Sequence, residues 1–142
     1  MSLQKFCQKP VAKISADVNI VDACRMLEER NVGCLIVESG EKLCGVITDR
    51  DIALKVTGAQ RDPQKTIVKD IMTTDPIRIF VDKDLHHLTS LMHAYHVRRV
   101  PIVNEYHKTL GIVTLDDLIA LLGEQMSDIG KAIAEGFPQG SA

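Results

Sequence analysis

The chain has no tryptophan, and three phenylalanines and two tyrosines bring its aromatic share to only 4% of 142 residues. Proteins that hold single-stranded nucleic acid stack bases on aromatic rings, and nucleic-acid binders in general carry a basic surplus. Here 17 lysines and arginines face 19 aspartates and glutamates, a net charge of −2. Nucleic acid is therefore not expected as the main partner. No apolar run approaches the roughly 18–20 residues of a membrane span. The opening MSLQKFCQKP lacks the charged-then-apolar order of a secretion signal, so a cytoplasmic chain with no membrane partner is expected. The four cysteines (Cys7, Cys24, Cys34, Cys44) form no C-x-x-C pair. They read as small buried hydrophobes in a reducing compartment. Phosphate-loop, nucleophile-elbow and Cys–His catalytic signatures are all missing.

What is present is an ordinary globular composition, 45% hydrophobic and 25% charged, in a length suited to one compact domain. The chain is also written twice. A shift of 65 residues lays Ile14 on Ile79, Asp17 on Asp82, Ile20 on Leu85, Met26 on Leu91 and Leu35 on Val100. One extra residue near Tyr106 changes the offset to 66, and Gly45, Thr48 and Asp51 then meet Gly111, Thr114 and Asp117. Matching apolar positions across both halves, with a shared G-x-x-T-x-x-D, indicate an internal duplication.

Each half follows one plan. An extended piece (VAKI or PIRI) leads to Asn19 or Asp84, both good N-caps. A helix follows, with Ile20, Ala23, Cys24 and Leu27, or Leu85, Leu88 and Met92, on one face. Two β-branched runs come next, GCLIV with CGVIT and VPIV with LGIVT, and the threonine opens a second helix. The expected fold is α/β (α+β): two β-α-β-β-α repeats related by a pseudo-two-fold axis. The divisions are 5–57 for the first repeat, 58–67 for a linker, 68–122 for the second repeat, and 123–142 for a C-terminal helix to about Glu135 with a loose tail. A unit of about 50 residues buries too little surface for comfortable stability alone. Two copies that cover each other solve this and leave clefts beside the axis.

The stretches VKDIMTTDP (68–76), HVRRVPIVNE (96–105) and LGIVTLDD (110–117), with NVGCLIVESGEKLCGVITDRD (31–51) in the first half, resemble a tandem pair of cystathionine-β-synthase-type (CBS) domains, the Bateman module. The resemblance covers about residues 5 to 122. It departs at the entry to the first repeat, where KFCQKP replaces DIMTTDP and Cys7 stands at the position of Met72.

By spacing alone, Thr48-x-x-Asp51 and Thr114-x-x-Asp117 read as capping boxes. The resemblance adds a second use: the carboxylates take ribose hydroxyls and the threonines a sugar or phosphate oxygen. Arg98 and Arg99 read as a solvated pair on their own. By resemblance they reach nucleotide phosphate. Their counterparts, Gly33 and Cys34, are uncharged. The resemblance thus implies two unequal sites. The first joins Thr48 and Asp51 to Arg98 and Arg99, with Val32 and the Gly33 backbone lining a slot for the ring. The second uses Thr114, Asp117 and Val97 with nothing cationic, and is weaker, empty, or holds an uncharged adenosyl group.

His93 and His96 fall at i, i+3, but no cysteine or carboxylate joins them, and solvated helix histidines are the alternative to a metal site. Lys55 reads as an ordinary surface charge. The leading function is a non-catalytic regulatory module that binds an adenosine compound (AMP, ADP, ATP or S-adenosylmethionine) between its repeats and signals to a separate effector protein. A homodimer is expected through Ile52, Leu54, Leu118 and Leu121. The rival readings are a structural dimerisation module with vestigial clefts and a small nucleotide-acting enzyme.

Overall fold

A computed structural model describes residues 2–136. The first repeat contributes β1 (Lys13–Ser15), α1 (Ile20–Arg30), β2 (Cys34–Ser39), β3 (Lys42–Thr48) and the short α2 (Asp49–Ile52). After a linker come α3 (Val68–Ile71) and β4 (Thr73–Thr74), then β5 (Ile79–Phe80), α4 (Leu85–Tyr95), β6 (Arg99–Val103), β7 (Thr109–Thr114) and α5 (Leu115–Gly136). One sheet runs β1-β2-β3-β4 and the other β5-β6-β7. In each, the first pair is parallel and the next antiparallel. The duplicated β-α-β-β-α plan is thus present in space.

Local chemistry explains the symmetry. Asn19 and Asp84 cap α1 and α4 by accepting from the backbone N–H of Asp22 and His87, each at 2.9 Å. Both helices end in a left-handed residue at equivalent places, Asn31 (φ 51°) and His96 (φ 53°). The paired hairpin turns repeat the device at Glu41 (φ 64°) and His107 (φ 62°). Ile20, Ala23 and Leu27 are buried as expected, but Cys24 is exposed. The apolar stripe is centred between Ala23 and Leu27 and leaves Cys24 at its rim. The helix expected after Thr48 forms but changes type along its length. It keeps one α-helical turn and passes into a π-helical turn over Ala53–Thr57, where Gly58 donates five residues back to Ala53 at 2.8 Å.

The two repeats exchange their opening segments. Leu3, in a 3-10 turn over Leu3–Cys7, is buried with Ile79, Leu88 and Val100 of the second repeat. Val68 and Ile71 are buried with Ile14, Leu35 and Ile47 of the first, and β4 extends the first sheet beside β3. This crossing explains the glycine of each G-x-x-T-x-x-D motif. A Cβ on Gly111 would stand 2.6 Å from the Phe6 carbonyl oxygen, and one on Gly45 would collide with the Met72 side chain.

Between the sheets lies a third apolar cluster of Ile36, Leu43 and Val103, edged by Val11, Val46 and Ile112. A register shift at Val37/Glu38, repeated at Ile102/Val103, turns residues toward this face. Ile36 is 1% and Val103 0% exposed, so the full burial of each stabilises the folded pair by roughly 1.5–3 kcal/mol. Polar ties add direction: the Leu43 N–H donates to the His107 carbonyl at 2.9 Å, and the Thr109 N–H to Glu38 Oε2 at 3.2 Å.

The expected dimer contact is corrected. Leu118 and Leu121 are 3% and 5% exposed and face their own chain, while Ile52 packs against the first core. Only Leu54 of the four stands well exposed. The C-terminal helix does continue past Glu135, as part of an unbroken α5. The expected loose tail, 137–142, lies outside the described residues.

Candidate ligand clefts

Both T-x-x-D motifs form complete capping boxes. Asp51 N–H donates to Thr48 Oγ1 at 3.1 Å and Thr48 N–H to Asp51 Oδ2 at 3.0 Å. The Thr114–Asp117 pair does the same at 3.1 and 2.9 Å. Each carboxylate keeps acceptor sites beyond the one used in the cap. They differ in company. Asp51 is nearly covered, with Lys55 Nζ 3.2 Å from its Oδ1, and Lys55 also donates to the Ile71 carbonyl at 3.1 Å. Lys55 is therefore not the free surface charge its sequence context suggests. Asp117 is exposed and carries no such partner among the described residues.

Arg99 reaches across from the second repeat. Its guanidinium and the Asp49 carboxylate both approach Gly33, at 3.5 and 3.4 Å from where a Cβ would stand. The Cys34 thiol beside them is pushed up to about 11, first by burial, with Asp51 and Asp49 raising it and Arg99 opposing. Asp51, Asp49 and Arg99 thus share one neighbourhood around Cys34. Cys34 and Arg99 are also counterparts in the repeat, so this neighbourhood lies near the pseudo-two-fold axis.

Two clefts flank it. One, of about 250 Å³, is lined by Val46, Thr73, Asp75, Ile77, Val97 and Arg99. The other, of about 480 Å³, is lined by Lys5, Lys9, Val11, Val32, Ile112 and Asp117. Contrary to expectation Val97 accompanies Arg99, while Val32 borders both the Asp117 cleft and a groove with Asp49. Gly33 sits beside Arg99, whereas Arg98 borders a smaller groove with Thr114 and Asp116, on which Arg99 also opens. Thr48 and Asp51 do not line the Arg99 cleft; they form the cap of α2.

The second cleft is not free of cations. Lys5 and Lys9 border it, with Lys5 3.9 Å from Glu124. An alignment of repeats shows only the counterparts of the arginine pair, whereas the exchanged N-terminal segment carries these lysines in from elsewhere. The same exchange places Thr73, Asp75 and Ile77 at the first cleft. Their signal in the sequence was the TTDPI stretch, which reads as the second repeat's own entry.

His93 and His96 lie with ring centroids 6.4 Å apart. No group of three or more His, Cys, Asp or Glu able to hold a metal occurs among the described residues. None of the described helices is long and apolar enough to cross a membrane.

Comparison with known proteins agrees with this architecture. The family profile described as the CBS domain matches residues 3–58 and 68–124. The CBS domain-containing protein YhcV of Bacillus subtilis is 37% identical over 108 residues, which is 76% of each chain. A 32% match to the L-aspartate semialdehyde sulfurtransferase of Methanocaldococcus jannaschii covers 85% of this chain but only 23% of that enzyme. The CBS domain pair of protein MJ0100, solved with 5′-methylthioadenosine and S-adenosyl-L-methionine, superposes with a TM-score of 0.77 at 28% identity, over 88% of this chain and 98% of that one. The CBS domain protein PAE2072 of Pyrobaculum aerophilum, complexed with AMP, shares the fold at 20% identity, with a TM-score of 0.76 over 89% of this chain and 99% of that one. With both repeats matched and exchanged around a common axis, the chain belongs to the CBS domain family as a tandem pair.

Proposed function

We propose that the protein is a regulatory module that binds an adenosine-containing ligand in the clefts between its repeats and passes the change of shape to an effector. The observation that carries this reading is the reach of Arg99, from the second repeat, to the Gly33–Asp49 neighbourhood of the first. A ligand phosphate paired there by a guanidinium fork bridges both halves, so occupancy is coupled to their relative position. Only differential affinity for two such arrangements produces a signal.

The ribose is assigned to Asp117 in the cleft it lines, N-terminal in its helix and able to accept from vicinal hydroxyls, whereas Asp51 lines neither cleft and keeps Lys55 as its partner. The Arg99 cleft favours a phosphorylated adenosine such as AMP. The Asp117 cleft, the larger of the two, suits an adenosyl group such as that of S-adenosylmethionine, with Lys5 and Lys9 available to a carboxylate or phosphate. The solved complex of the MJ0100 pair with S-adenosyl-L-methionine and 5′-methylthioadenosine supports this ligand class.

Isothermal titration of the wild type, Arg99→Ala and Asp117→Ala with AMP and with S-adenosylmethionine tests it. Arg99→Ala is expected to weaken AMP at least tenfold and leave S-adenosylmethionine nearly unchanged; Asp117→Ala is expected to do the reverse. If no adenosine compound binds or raises the melting temperature above its Kd, the clefts are vestigial and the reading fails.

A further inference from the structure

The wall of the Arg99 cleft carries a carboxylate to which no ligand group is assigned. Asp75 lines this cleft together with Arg99, and its side chain is 87% exposed. Its backbone is held in place, with φ at 48° and the N–H donating to the Cys44 carbonyl at 3.0 Å. The carboxylate has one partner among the described residues, the guanidinium of Arg78, whose Nη2 donates to Oδ1.

Arg78 is far more enclosed, its side chain 15% exposed, and it holds three further groups. Nε donates to the Pro76 carbonyl at 3.3 Å, Nη1 donates to the Leu43 carbonyl at 3.4 Å, and His107 Nδ1 lies 3.5 Å from Nη1. Leu43 in turn donates its N–H to the His107 carbonyl at 2.9 Å, and the His107 ring meets Phe80 edge-on with centroids 5.3 Å apart. Leu43 also belongs to the apolar cluster between the sheets. One guanidinium therefore joins a cleft-wall carboxylate of one segment to the junction where the two hairpins meet.

The Asp117 cleft lacks this connection. At the 65-residue offset, the counterparts of Asp75 and Arg78 are Pro10 and Lys13. Pro10 lines the Asp117 cleft, but proline has neither a carboxylate nor an N–H to give. Lys13 pairs instead with Glu38 at 3.1 Å, whose other oxygen takes the Thr109 N–H.

We propose, on the adenosine reading above, that Asp75 is a specificity-determining carboxylate that opposes anionic groups in the Arg99 cleft, and that Arg78 is the positioning residue that carries its displacement to the hairpin junction. A phosphate paired with Arg99 shares a cleft of about 250 Å³ with a carboxylate of its own sign. Their separation is comparable with the Debye length of ~8 Å, so salt does not remove the repulsion. The exposed carboxylate gives way before the enclosed guanidinium does. Arg78 then loses its charge partner and its fixed place between the Leu43 carbonyl and His107, and the junction loosens. A neutral ligand leaves the pair as it stands. The module thus separates phosphorylated from unphosphorylated adenosine, and does so at one cleft of the two.

Isothermal titration and amide exchange at Leu43, with AMP and with adenosine, test this on the full chain. In the wild type, AMP is expected to quicken Leu43 exchange at least about tenfold through local opening, and saturating adenosine is not. Asp75→Asn keeps an acceptor for Arg78 but not the charge. It is expected to bind AMP about threefold to fivefold tighter, the worth of one exposed charge pair, with adenosine affinity unchanged and Leu43 exchange indifferent to AMP. Arg78→Gln is expected to exchange Leu43 rapidly with or without ligand and to bind AMP more weakly, because Asp75 is then uncompensated. Lys13→Gln is expected to keep the wild-type response to AMP. Equal AMP affinity in the wild type and Asp75→Asn, or wild-type Leu43 exchange that ignores bound AMP, overturns the proposal and leaves the adenosine reading standing. A chain that binds neither compound overturns both.

Discussion

Lys55 holds Asp51: its ammonium lies 3.2 Å from Asp51 Oδ1 and donates to the Ile71 carbonyl at 3.1 Å. The counterpart of Lys55 in the second repeat is Leu121, which is 5% exposed. The two T-x-x-D motifs are therefore alike as helix caps and unlike as charged groups. One carboxylate is tied to a cation that also anchors the exchanged segment at α3, and the other is open to solvent.

This difference appears first in stability. Asp51→Ala removes a cap bond worth about 1 kcal/mol and frees Lys55. The lysine is half-exposed, so screening keeps the ion pair's share below about 1 kcal/mol. A total loss of about 1–2 kcal/mol is expected, against about 0.5–1 kcal/mol for Asp117→Ala, which loses the cap alone. Urea denaturation of the two variants measures the gap, and equal losses would remove Lys55 from the account.

The motif glycines give a second contrast. At Gly111 an added methyl meets the Phe6 carbonyl at 2.6 Å and Cys7 Cα at 3.0 Å, both backbone. At Gly45 the nearest obstacle is the Met72 side chain, which can move aside, and the one backbone atom close by, the Thr73 carbonyl oxygen, stands farther off at 3.1 Å. Gly111→Ala is expected to cost about 2–3 kcal/mol and Gly45→Ala about 1 kcal/mol, the two ends of the overpacking range. Amide exchange at Leu3–Cys7 should quicken in Gly111→Ala alone; if both variants behave alike, the crossing does not explain the glycines.

Cys34 provides a pH-dependent test. Burial pushes its thiol up to about 11 while Arg99 pulls the other way. Because the folded value lies above the ordinary 9.0, the associated stability is whole below pH 9 and fades as pH climbs through about 11. The thiolate is the reactive form. Iodoacetamide at pH 8 should therefore label exposed Cys24 well before Cys34, and the Cys34 rate should still be rising above pH 9. Arg99→Ala should slow Cys34 further, since the cation that favours its thiolate is gone. A faster Cys34 in that variant would contradict the proximity of the two residues.

Much of the fold was legible because duplication is written in residue types that act locally. Asn19 and Asp84 cap helices through their own side chains, and each threonine–aspartate box closes within four residues. The alternation of apolar positions declares each strand's buried faces. The clefts were harder to read. Val32 and Val97 look interchangeable in an alignment, and which one stands with Arg99 depends on how the sheets cross. Lys5, Lys9 and Thr73 belong to segments that leave their own repeat.

By itself, then, the sequence determined two β-α-β-β-α repeats, their caps and the need for them to pair. Those properties depend on contacts a few residues apart or on the period of burial. Only the tertiary structure decided that the opening segments trade places, that Lys55 answers Asp51, and that cations border both clefts. Each of these depends on which distant segments share a surface. That is settled by how the apolar faces of both halves can be covered at once.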